Sequence, residues 1–119
     1  MKIILDTNFL IDCIRFNINI KSELVGNELF VLDLEKFEME KIIERGTKES
    51  KLAKTALEFV NKNKIKILES GEKDVDESLI KYSKEGYVIA THDRVLKNKL
   101  KKSVSKIIFI RQKKYLVIE

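Results

Sequence analysis

Residues 1–10 read MKIILDTNFL. A short apolar run, Ile3 to Leu5, has the length of a buried strand and stops on a carboxylate, Asp6, with Thr7 and Asn8 beside it. An acid in that place has two readings: it caps the helix that follows, or it holds a metal ion. One stretch does not decide between them, so the rest of the chain must say what kind of sheet this strand belongs to.

Apolar runs of strand length recur at KIILD (2–6), ELFVLD (28–33), KIKILES (64–70), GYVIAT (86–91) and KIIFIR (106–111). Segments with helical periodicity lie between them. They predict helices over Phe9–Phe16, a short piece near Lys21–Val25, Leu34–Arg45, Glu49–Asn61, Val75–Lys84 and Arg94–Lys99. Such alternation predicts an α/β fold with a mainly parallel central sheet flanked by helices. The tail KKYLVIE (113–119) is β-prone and follows IIFIRQ closely, which predicts a hairpin or an extra edge strand.

The 119 residues suit one domain, 1–119, able to bury an ordinary core without disulfides. Apolar residues make up 44% and charged residues 36%, with no proline, which excludes a disordered chain. The net charge of +5 favours a polyanionic partner. Cys13 is the sole cysteine and His92 the sole histidine, so neither an intramolecular disulfide nor zinc-ligand spacing is available. With no apolar stretch approaching a membrane span, the expectation is a cytoplasmic protein with no membrane partner.

In open parallel sheets, sites form outside the carboxyl ends of the strands. Asp6, Asp33 and Asp93 stand there by sequence, each with helix capping as an even alternative. Helical acids say more, because a carboxylate on an apolar stripe has no easy solvated reading. At about 100° per residue, Glu38 shares a row with Leu34 and Ile42 and is predicted to face inward, whereas Glu40 and Glu44 face water. Asp76 has Leu79 and Ile80 at i+3 and i+4, while Asp74 and Glu77 form a D-x-x-E capping box. Glu35 also points toward the apolar side, but in the first turn, where an acid suits the helix dipole. Inward carboxylates need cations or must gather where a metal enters. Gathering Asp6, Glu38, Asp76 and Asp93 in one cleft gives the hard oxygen donors that Mg²⁺ or Mn²⁺ prefers; pairing with Arg or Lys is the other reading of the two helical acids.

These segments resemble the PIN domain, a small three-layer α/β metal-dependent nuclease fold. ILDTNFLID resembles its opening strand and first acid, at Asp6, with companions Thr7 and Asn8. VLDLEKFEMEKI resembles its second segment and, in the Fcf1-like ribosomal-RNA-processing subgroup, aligns Glu38 with the functional glutamate; Glu40 is the other register. DVDESLIKYSKEGYVIATHDRVLKNKL resembles the third segment, with Asp76 as the helix acid and Asp93 in an ATHDR turn, where His92 replaces the usual asparagine. The likeness spans nearly the whole chain. It implies RNA cleavage with Mg²⁺ or Mn²⁺ at Asp6, Glu38, Asp76 and Asp93, leaving 5′-phosphate and 3′-hydroxyl ends. Asn8 and Thr91 would support the site.

Lys97, Lys99, Lys101 and Lys102 after the Asp93 turn, and Lys48, Lys51 and Lys54 on the second long helix, are candidates for tracking an RNA backbone; a solvated, solubilising face is the bland alternative. Cys13 reads as core, and His92 as a loop residue without a role, with substrate contact as its other reading. A D-x-D phosphatase would need an acid where Asn8 stands, and a receiver domain needs an aspartate where Glu69 and Ser70 stand. The rival that survives is a non-catalytic RNA-binding or scaffold domain of the same fold. An antitoxin, a ribosome-assembly factor and a second copy of the chain all stand open as protein partners.

Overall fold

A computed structural model describes residues 1–103 and 105–119. Among them, strands β1 (Lys2–Leu5), β2 (Glu28–Leu32), β3 (Lys66–Leu68), β4 (Val88–Ala90), β5 (Ile107–Arg111) and β6 (Tyr115–Ile118) form one sheet in the order β3-β2-β1-β4-β5-β6. All neighbouring pairs are parallel except β5 with β6. Helices α1 (Thr7–Arg15), α2 (Ile20–Glu23), α3 (Asp33–Glu44), α4 (Lys48–Lys62), α5 (Val75–Lys84) and α6 (Arg94–Lys102) fill the connections. The strand order reverses direction at β1, which pairs with both β2 and β4. That reversal is the switch point where open α/β sheets place their clefts.

Strand alternation splits the core into two. Ile3, Leu5, Val31, Ala90 and Ile108 face one side and pack with α1, α3 and α4. Ile4, Phe30, Leu32 and Ile89 face the other and pack with α5 and α6. The result is three layers, with β1 at the centre: Ile3, Ile4 and Leu5 are all fully buried. A strand covered on both faces reads as a continuous apolar run, which is why KIIL carries no polar residue after Lys2.

Element identities match the sequence-based expectation, with shifted ends. Helix α1 begins two residues early because Asp6 caps it, accepting a hydrogen bond from the Thr7 N–H. Helix α6 runs three residues further than predicted because Leu100, one turn after Leu96, is also fully buried. The chain enters β4 through Gly86, whose φ of 97° would strain any residue with a Cβ. The tail forms the expected hairpin: Gln112 and Lys113 both take positive φ, and the Lys114 N–H donates to the Arg111 carbonyl at 3.1 Å.

The inward phasing of α3 is corrected. Its fully buried residues are Glu35 and Met39, with Ile42 and Ile43 packed behind them, so the core row passes through Glu35 and Met39 rather than Leu34 and Glu38 on its way to Ile42. Glu38 is solvent-accessible. The helix carries an acid on every candidate row, so apolar spacing alone fixed its rotation weakly. Replacing Met39 with alanine is therefore expected to cost about 2–5 kcal/mol in urea unfolding, whereas Glu40→Gln, on the exposed side, should stay within about 0.5 kcal/mol.

Candidate active site at the strand ends

The floor of the site is built by backbone pairing that continues one residue past β1 and β4. The Asp6 N–H donates to the Ala90 carbonyl at 2.9 Å, and the Thr91 N–H donates to the Ile108 carbonyl at 3.0 Å. Asp6 and Thr91 thus stand side by side, both buried. The Thr91 hydroxyl donates to Asp6 Oδ2 at 2.9 Å and accepts from the Asp93 N–H at 3.1 Å. One side chain therefore ties the first acid to the turn that carries the last. Asp6 Oδ1 accepts from the Thr7 N–H at 2.9 Å, and Asp93 Oδ1 accepts from the Val95 and Leu96 N–H groups. Both acids do cap their helices, so the capping and site readings are compatible at each: one oxygen caps, and the carboxylate still has lone pairs for a ligand.

Glu35 is the residue that the sequence reading undervalued. It lies in the first turn and on the apolar side as expected, but is fully buried. Its Oε2 accepts from the Thr7 N–H at 2.7 Å and its Oε1 from the Leu32 N–H at 3.3 Å, joining the end of β2 to the start of α1. The Thr7 hydroxyl donates in turn to the Glu35 carbonyl at 3.3 Å. Burial above all, then the adjacent Asp6 carboxylate, pushes the Glu35 carboxyl well above the usual carboxylate range. Its placement at i−4 from the buried Met39 was the available signal.

The other acids surround the cleft that opens above this floor. Glu38 from α3 and Asp76 from α5 line it together with Lys99 from α6. Desolvation in the cleft, followed by the charges of Asp6 and Asp76, raises the Glu38 pKa. Asp76, half-buried, is raised by desolvation, then by Asp93 and Asp6, while Lys99 pulls it back down. All four predicted acids therefore share one electrostatic field. Among the described residues no group of three Asp, Glu, His or Cys side chains stands close enough together to hold a metal ion.

The remaining predicted residues divide. Asn8 lies at the exposed rim near Asp12, His92 and Asp93. His92 does have a partner, its Nδ1 lying 3.0 Å from Asp12 Oδ2, and Arg15 joins Asp12 to Glu49 at the start of α4. Asp33 lies outside the cluster: it binds the Ser70 N–H and hydroxyl, bracing β2 against the end of β3, and the Ser70 hydroxyl lowers its pKa. Asp74 accepts from the Glu77 N–H at 2.7 Å as predicted. The lysines of α6 do not act as one group. Lys97 packs 4.0 Å from the centre of the Phe109 ring and Lys101 pairs with Glu119 at 3.4 Å, both behind the helix, leaving Lys99 in the cleft. Lys102, Lys48 and Lys51 are exposed on α6 and α4. Burial, reinforced by Asp12 and Glu23, pushes the Cys13 thiol up to about 12, consistent with an inert core residue.

A carboxyl whose folded pKa exceeds its unfolded value contributes most stability at low pH and loses it as pH rises from the unfolded value through the raised one. Glu35, Glu38 and Asp76 all have this sign. Melting of the metal-free protein should therefore fall as pH rises from the ordinary carboxylate range toward neutrality, and the stability of Glu35→Gln relative to wild type should rise with pH across that window. A constant difference between the two melting curves would show that folding leaves the Glu35 pKa unshifted.

Comparison with known proteins agrees with this fold. The sequence profile of the PIN-like domain family matches residues 3–113. Ribonuclease VapC4 of Methanocaldococcus jannaschii is 30% identical over 125 residues, covering 98% of this chain and 95% of that protein. The fold is similar to that of the PIN domain endonuclease Utp24, with a TM-score of 0.81 at 22% identity over 99% of this chain and 90% of the other. A domain of a functionally unknown protein from M. jannaschii also superimposes, with a TM-score of 0.68 at 20% identity over 92% and 91% of the two chains. A family match across nearly the whole length, with a full-length relative beside it, establishes that this chain belongs to the PIN-like domain family.

Proposed function

We propose that the chain is a metal-dependent endoribonuclease hydrolysing RNA phosphodiesters at Asp6, Glu38, Asp76 and Asp93. One observation carries the reading: Glu38 and Asp76 line one cleft from two helices, and the strand-end carboxylates lie near enough for Asp6 to raise the pKa of both and Asp93 that of Asp76. Acids that served only as caps or surface charge would have no cause to converge. The donor chemistry fits Mg²⁺ or Mn²⁺, since all the groups are hard carboxylate oxygens. Asp6, Asp76 and Asp93 would hold the ion, with Glu38 nearby or linked through water. When bound, the ion would lower the pKa of water for in-line attack on phosphorus and stabilise the leaving oxygen.

The chain's own groups do the rest. Thr91 fixes the orientation of Asp6 and the height of the Asp93 turn, as groups behind metal ligands do. Lys99 supplies positive charge beside Asp76, where a phosphate approaching four carboxylates needs it. Kinship with the ribonuclease VapC4 supports RNA as substrate. The proposed activity serves either a toxin-type role with an antitoxin partner or ribosomal-RNA processing.

Cleavage of RNA should require Mg²⁺ or Mn²⁺, stop on chelation and weaken as salt screens phosphate contacts. Asp93→Asn and Glu38→Gln should each lower it by about 100-fold or more, with melting temperatures unchanged or raised. Asparagine caps a helix as well as aspartate does, so Asp93→Asn removes the charge and keeps α6. Glu40→Gln should retain wild-type activity. Binding without any metal-dependent cleavage would instead establish the non-catalytic RNA-binding role.

A further inference from the structure

The cleft between α3 and α5 has a volume of about 540 Å³, within the range of small-molecule sites. It holds more than acids. Phe37 lies in it with 54% of its surface exposed, although it directly precedes Glu38 on a helix whose opposite face is core. Leu34, Val75 and Ile80 continue the apolar surface from Phe37 across to α5. A single exposed phenylalanine is ordinary. One that extends an apolar wall running up to the carboxylate cluster is not explained by packing or by metal binding.

We propose that this wall is a base-binding subsite, in which Phe37 stacks an unpaired nucleobase of the RNA strand whose adjacent phosphate lies at Asp6, Glu38, Asp76 and Asp93. The proposal rests on the RNA-hydrolysis reading and names the part of the substrate that the apolar wall would take. Charge decides which part that is. Glu38, Asp74, Asp76 and Glu77 outnumber Lys73 and Lys99 in the cleft, so the wall repels a phosphate unless a cation intervenes. A flat, neutral base meets no such penalty and finds an aromatic face. Phosphates would be left to the cations at the margins: Lys73 and Lys99 in the cleft, and Lys41, whose Nζ stands 4.7 Å from the centre of the Phe37 ring. In a duplex the bases are already stacked and paired and would not reach this wall. Unpaired loops and single strands would.

The test compares wild type, Phe37→Ala and Phe37→Trp in cleavage of a single-stranded oligoribonucleotide, and the same Phe37 changes in an Asp93→Asn background for binding to 2-aminopurine-labelled RNA by fluorescence. The expected result is a KM for Phe37→Ala raised roughly 5- to 100-fold, the loss typical of one stacked base, with kcat changed far less. Phe37→Trp should keep near-wild-type KM, and stacked 2-aminopurine should be quenched only when residue 37 is aromatic. Since Phe37 is exposed, thermal melts should show all variants folded. If cleavage by Phe37→Ala matches wild type while Asp93→Asn is inactive, the hydrolytic reading stands and the base subsite is overturned. If wild type does not cleave, the binding series still decides: Phe37-dependent quenching supports the subsite, and Phe37-independent binding removes it. A Phe37-dependent self-association by sedimentation, with no effect of Phe37 on RNA, would assign the wall to a second copy of the chain and likewise overturn the proposal.

Discussion

The parallel pairing of β1 with β4, carried one residue beyond each strand, governs the arrangement of this molecule. Through the Asp6 N–H to Ala90 carbonyl bond and the Thr91 hydroxyl to Asp6 carboxylate bond, two segments 85 residues apart in sequence become one rigid floor. The register leaves no freedom here: a slip of one residue would turn Asp6 onto the opposite face and bring Leu5 or Thr7 to the sheet edge. Burial of Ile3, Ile4 and Leu5 on both faces holds that register, so the hydrophobic core and the polar end of the strand specify the same alignment.

Above the floor, loss of water outweighs the repulsion between charges. Glu35, Glu38 and Asp76 are raised first by desolvation and only then by neighbouring carboxylates. Mutual repulsion is therefore present but secondary. Glu35 and Glu38 differ in kind although one turn of helix separates them. Glu35 is sealed and satisfied by backbone donors, while Glu38 stands at the open cleft, able to exchange its proton with solvent or to meet a ligand.

The strands, the helices and the acids at the ends of β1 and β4 were legible in the sequence because each leaves a local trace: an apolar run, a stripe, an acid at a strand end. The rotation of α3 was not. Glu38, expected inward, is exposed, and Glu35, left between the apolar side and the helix-dipole role, is the buried acid, because the sequence offers two apolar rows, Leu34 with Ile42 and Met39 with Ile42 and Ile43, and only tertiary packing selects between them. The division of the α6 lysines was hidden for the same reason. Lys97 and Lys101 share a helical row, but what that row faces, Phe109 and Glu119, is set by β5 and the hairpin that follows. Asp33 was ambiguous at a strand end, and its partner Ser70 lies 37 residues away, beyond the reach of any local pattern.

The two core layers have a mechanical consequence. Asp6 is locked by strand pairing and by Thr91, whereas Glu38 and Asp76 ride on helices packed against opposite faces of the sheet. The cleft is thus a vice with a fixed bed and two independent jaws, one seated in each hydrophobic layer. Its grip depends on how far α3 and α5 slide over the sheet, so core substitutions remote from any carboxylate can tune it without touching a functional group.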